Sequence, residues 1–129
     1  MPTRFQKLVQ DAKTRITEIS AADAAREVER GAMLIDVREA DDWREGHAPA
    51  AVHMGRGSIE LDIEEKAPAL DTPIICQCGG GSRSALVADS LQRMGYTNVK
   101  SLAGGFKAWK LAGLPFTQAA PPTGQPSNL

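Results

Sequence analysis

Two cysteines stand one residue apart in this chain, Cys76 and Cys78, and the second opens the run Cys78-Gly79-Gly80-Gly81-Ser82-Arg83-Ser84. A thiol followed by glycines, hydroxyls and a guanidinium is equipped for nucleophilic chemistry. Glycines let the backbone curl without Cβ clashes and leave N–H groups uncovered. A curled loop that leads into a helix N-terminus turns those N–H groups toward one point and forms a small anion cradle. Gly79, Gly80, Gly81, Ser82 and Arg83 are the candidate lining, with Cys78 at the first position. The amides and the helix dipole are expected to lower its pKa below the ~8.5 of a free cysteine, and the thiolate is the nucleophilic form. Arg83 closes the loop, either to brace the turn or to pair with an anionic substrate.

Other residues carry weaker signals. Cys76 lies in an apolar run and reads as core packing; a bridge to Cys78 across one residue strains disulfide geometry. One Cys-x-Cys pair with His47 and His53 lacks the paired spacings of a structural zinc site, so no metal is expected. His47 reads as orienting the turn after a short helix. Asp36 and Arg38 end a strand and read as an ion pair bracing the active loop, with substrate contact by Arg38 as the other reading. Arg56, between Gly55 and Gly57, either reaches across the mouth of the site or is a solvated loop residue. Trp43 and Trp109 read as core anchors.

The flanking pattern explains how such a loop is held. Helices are expected over residues 4–14, 21–30, 41–45, 59–70 and from Arg83 to the stop at Gly95, with a last one after Gly104-Gly105. Strands are expected at 16–19, 33–36, 51–54, 73–78 and 99–102. Strands alternating with helices predict an α/β sandwich with a mostly parallel sheet. Ligands in such sheets bind beyond the carboxyl ends of the strands, where Cys78 falls. Residues 1–15 form a helical extension, 16–115 the domain, and 116–129, rich in proline and poor in apolar residues, a disordered tail.

The 129 residues suit one compact domain with 42% apolar and 24% charged residues. A net charge of −1 supplies no global field for nucleic acid or an anionic membrane. No apolar run approaches membrane-spanning length and the N-terminal residues lack a signal-peptide core, so a cytoplasmic protein with free thiols is expected. A monomer is the default.

In four segments the chain resembles the rhodanese family. These are Leu34-Ile35-Asp36-Val37-Arg38-Glu39, Gly46-His47-Ala48-Pro49-Ala50-Ala51, the Cys78–Ser84 loop as a C-x-x-G-x-R motif, and Asn98 through Trp109. The resemblance covers about residues 16–115 in the family's order; Ala50 stands where the family usually has glycine. It implies a three-layer sandwich with a five-stranded, mostly parallel sheet flanked by helices. It also implies sulfur transfer by double displacement. Thiosulfate or a similar donor would load Cys78 as a persulfide, and a thiol, cyanide or a sulfur-accepting protein would unload it, without metal or organic cofactor. Cys78 through Arg83 spans six residues, the length of the family's sulfurtransferases; related phosphatases use one more. The alternatives are a catalytically silent binding module and, on the same scaffold, a phosphatase or arsenate reductase.

Overall fold

The computed structural model describes residues 1–118. The elements run α1 (Arg4–Lys13), β1 (Thr17–Ile19), α2 (Ala21–Glu29), β2 (Met33–Asp36), α3 (Ala40–Glu45), β3 (Val52–His53), α4 (Ile59–Lys66), β4 (Ile74–Gln77), α5 (Ser82–Arg93), β5 (Val99–Leu102) and α6 (Gly105–Leu111). The five strands form one sheet in the order β1-β5-β4-β2-β3, with every pairing parallel. The expected sandwich is thus present, and its sheet is wholly rather than mostly parallel.

Parallel strands need cover on both faces, which is why the central ones read as unbroken apolar runs. Alternate residues feed two cores. On one face Ile35, Ile74, Cys76 and Cys78 pack with Ile59 and Ile63 of α4 and Val87 and Leu91 of α5. On the other, Leu34, Ile75 and Leu102 pack with Ala21 and Ala24 of α2 and Phe106 and Trp109 of α6. β4 lies near the centre, between β5 and β2, so the loop leaving its carboxyl end is anchored on both sides.

Local chemistry sets most boundaries. Thr3 and Gln6 form a capping box on α1, and Ser20 caps α2 through the Asp23 amide. α1 is tied to the domain: Val9 and Ala12 are buried, and Arg15 donates to Asp89 of α5 at 2.8 and 3.0 Å. α4 ends at Lys66, short of the expected Leu70, because the residue before Pro68 is biased out of helical geometry and Ala67 takes φ −135°. Residues 116 and 117, placed in the tail by the sequence, contact the rest of the chain. Phe116 meets Phe106 edge-on, and Thr117 exchanges backbone hydrogen bonds with His47 at 2.7 and 2.8 Å. The rest of the expected tail, residues 119–129, lies outside the described residues.

Trp109 is a core anchor, with its indole N–H donating to Pro115 O. Trp43 is not. It is half-buried and stacks on His47 at 3.5 Å and on His53 at 5.0 Å between ring centroids. A six-residue helix buries none of its side chains, so its indole packs against neighbouring loops instead of the sheet.

Candidate active site

The loop after β4 curls back over its own cysteine. Gly81 has φ +101°, a left-handed conformation that only glycine takes without strain, and it serves as the N-cap of α5. Among the described residues no side chain caps this helix. Its free amides turn instead to the Cys78 sulfur, which accepts from Gly81 N–H at 3.1 Å. Burial alone would raise the Cys78 pKa. The Ser84 hydroxyl and the amides of Ser84, Gly81 and Gly80 outweigh it, so the pKa lies below the ordinary thiol value. The same loop chemistry that shapes the turn therefore favours a thiolate.

A second turn holds the loop from outside. α6 starts at Gly105, where φ is +59° and a Cβ would lie 2.6 Å from Gly79 C and 2.7 Å from Gly79 O. This close approach lets Phe106 N–H donate to Cys78 O at 2.7 Å and Lys107 N–H to Gly79 O at 3.2 Å. Buried Gln77 adds a bond from Nε2 to Cys78 O at 3.2 Å. The cysteine main chain is thus fixed by β4, by its own side chain and by α6.

Cys78 is 1% exposed and lies at the floor of the loop. Gly80 is exposed, and Gly79, Ser82 and Arg83 are half-buried, so these residues form the solvent-facing side of the loop. Arg83 folds over the loop; a Cβ on Gly79 would sit 3.6 Å from its Nη2. Among the described residues Arg83 has no carboxylate partner, which leaves its charge available to an anion.

The remaining candidates fall elsewhere. Asp36 and Arg38 form a buried pair at 2.8 Å, as expected. The pair does not brace the Cys78 loop directly, however. Arg38 donates to Gly46 O and lies 4.3 Å over the Phe106 ring, so it ties the turn after α3 to α6. Its reach is spent on Asp36, two residues away. Arg56 is exposed and lines a cavity of about 200 Å³ with Leu8, Arg15, Leu86, Asp89 and Arg93, which includes none of the Cys78–Arg83 residues. Its amide is anchored to Val37 O, which sets the loop on the α1–α5 side. His47 donates from Nδ1 to Trp43 O at 2.7 Å, in keeping with a role in the turn. Cys76 is fully buried, and burial together with the neighbouring Cys78 pushes its thiol up to about 12. Among the described residues no group of His, Cys, Asp and Glu is arranged to hold a metal ion, and no helix is long and apolar enough to cross a membrane.

Sequence reasoning placed Ser84 in the motif without giving its hydroxyl a task, and it passed over Ser101 and Gly105. Ser101 carried a readable signal. In Val99-Lys100-Ser101-Leu102 it alternates with Lys100, so a hydroxyl was bound for the same buried side as Val99.

The pattern of the whole domain decides its kinship. A family model described as Rhodanese-like domain matches residues 20–112. The chain belongs to the rhodanese family. Among rhodanese relatives, the thiosulfate sulfurtransferase GlpE of Haemophilus influenzae is 38% identical over 102 residues, covering 79% of this chain and 95% of that one. A Rhodopseudomonas palustris structure, described as of unknown function and a possible tyrosine phosphatase, is 30% identical with a TM-score of 0.77, covering 91% and 99%. The polysulfide-sulfur transferase homodimer of Wolinella succinogenes is 26% identical with a TM-score of 0.78, covering 92% and 90%.

Proposed function

We propose that this rhodanese is a cytoplasmic sulfurtransferase that carries sulfane sulfur as a persulfide on Cys78. The observation that carries the reading is the Cys78 sulfur held by the Gly81 amide, with its pKa lowered, inside a six-residue loop. The thiolate attacks the outer sulfur of thiosulfate or a similar donor. The donor's S–S bond breaks, and sulfite, in the thiosulfate case, leaves with the electron pair. The amides of Gly79–Ser84 hold the displaced charge on the new outer sulfur, and Arg83 draws the anionic donor in. A thiolate or cyanide then attacks that outer sulfur, and Cys78 leaves as the thiolate that its loop stabilises. Asp36, Arg38 and Arg56 support neighbouring turns and take no part in either step. The resemblance to a thiosulfate sulfurtransferase favours thiosulfate as donor; that to the Wolinella polysulfide-sulfur transferase makes polysulfide the second donor to try.

Incubation with thiosulfate is expected to add about 32 Da to the protein, removable by a thiol, and Cys78→Ser abolishes it. Turnover of thiosulfate by Cys78→Ser would overturn the assignment. The burial of Cys78 favours one other reading, a silent binding module. In that case iodoacetamide reacts with an inflection near a free thiol's value and no donor loads the sulfur. The short loop speaks against a phosphatase, which Cys78-dependent hydrolysis of an aryl phosphate would revive.

A further inference from the structure

Ser101 sits on β5, in the middle of an apolar sheet, wholly buried. A hydroxyl there is costly unless hydrogen-bonded. Its partner is the Ser84 hydroxyl, also wholly buried, at 2.8 Å. Ser84 Oγ in turn lies 3.5 Å from Cys78 Sγ. The three groups form a chain running from the sheet to the sulfur.

Proton count gives this chain a direction. Each serine has one proton to donate. When Cys78 is a thiol, its S–H is able to donate to Ser84 and Ser84 to Ser101. When Cys78 is a thiolate, the sulfur only accepts, so Ser84 must turn its proton toward it. The lone pair that Ser84 then presents to β5 is met by the Ser101 proton. We propose that Ser101 is a positioning residue for the sulfurtransferase site, orienting and polarising the Ser84 hydroxyl toward the Cys78 thiolate. This rests on the reading of Cys78 as the sulfur carrier.

Among the described residues no charged side chain takes over this task from another direction. β4 brings Cys76, whose buried thiol keeps its proton. α5 brings Arg83, placed outside the loop at Gly79. The turn into α6 contributes main-chain amides, which go to Cys78 O and Gly79 O, while the Lys107 side chain is exposed. At the end of β2 Asp36 pairs with Arg38 of the following loop, and on β5 Lys100 pairs with Glu27. α4 faces this core with Ile59 and Ile63.

The test is the pH dependence of iodoacetamide alkylation at Cys78, together with thiosulfate loading read by mass, on the full chain. Ser101→Ala is expected to raise the alkylation midpoint by about half a pH unit, roughly a threefold loss of thiolate below it, through lost polarisation of Ser84. Ser101→Val removes the hydroxyl with a strand-favouring residue and gives the same shift should alanine weaken the fold. Ser101→Thr restores the parent midpoint. Because Ser101 acts through Ser84, the Ser84→Ala/Ser101→Ala double variant titrates where Ser84→Ala does. An unchanged midpoint in both Ser101→Ala and Ser101→Val overturns the proposal, as does a double variant shifted beyond Ser84→Ala by the Ser101 increment. A parent protein that titrates like a free thiol and takes no sulfur overturns the sulfurtransferase reading instead. A loaded parent with a low midpoint, unmoved by the Ser101 variants, overturns only the relay.

Discussion

Replacing Gly81 with alanine is the sharpest perturbation of the loop. Gly81 has φ +101°, and a Cβ there would lie 3.1 Å from Gly104 N and 3.4 Å from Leu102 O. Holding alanine in this conformation costs on the order of 1–3 kcal/mol before any contact is counted. The loop escapes by rotating Gly81 toward negative φ, which swings its amide off the sulfur it now meets at 3.1 Å. A hydrogen bond to a charged acceptor contributes about 1.5–3 kcal/mol, and 1.36 kcal/mol corresponds to one pKa unit. Gly81→Ala is therefore expected to raise the Cys78 pKa by about 1–2 units. At a pH below the midpoint, sulfur loading by thiosulfate then falls on the order of 10- to 100-fold as the thiolate fraction drops. The assay is the alkylation rate of Cys78 against pH, paired with urea unfolding to register the backbone cost. A variant with a midpoint within about 0.3 unit of the parent and an unchanged urea midpoint would refute the role given to this amide.

Three further outcomes follow from the same geometry. Folding lowers the Cys78 pKa, so its ionisation contributes stability that is complete above the ordinary thiol value and is lost as pH falls through the folded pKa; the stability difference between parent and Cys78→Ala is expected to grow as pH rises through that window in urea titrations. Cys76→Ala is expected to keep sulfur transfer, with a modest loss of packing, whereas Cys76→Ser buries an unpartnered hydroxyl and costs about 1–3 kcal/mol; loss of loading in the alanine variant would make Cys76 a resolving thiol. Asp36→Ala strands the buried Arg38 guanidinium and is expected to cost about 3–5 kcal/mol of unfolding free energy, a loss that Arg38→Met/Asp36→Leu recovers in part.

Local chemistry in the chain was enough to place Cys78, the turn that curls over it and the layers that carry it. Short apolar runs bounded by turn residues read as buried strands, Ser20 before a helical pattern reads as a cap, and a run of glycines after a strand allows a curl that other residues resist. These are short-range or periodic effects, and composition encodes them directly. Long-range partners were a different matter. That Arg38 serves Gly46 and Phe106, that Arg56 faces α1, that Trp43 stacks on two imidazoles, and that Phe116 and Thr117 close on Phe106 and His47 all depend on which surfaces the folded chain brings together. Ser101 is the clearest case. Its alternation said that it points into the core, but 17 residues separate it from Ser84, and only the packing of α5 on β5 puts the two hydroxyls 2.8 Å apart. Side-chain type and periodicity decide which way a residue faces; the identity of what it meets is set by the tertiary arrangement of elements, because hydrogen bonds act over about 3 Å and carry no memory of sequence distance.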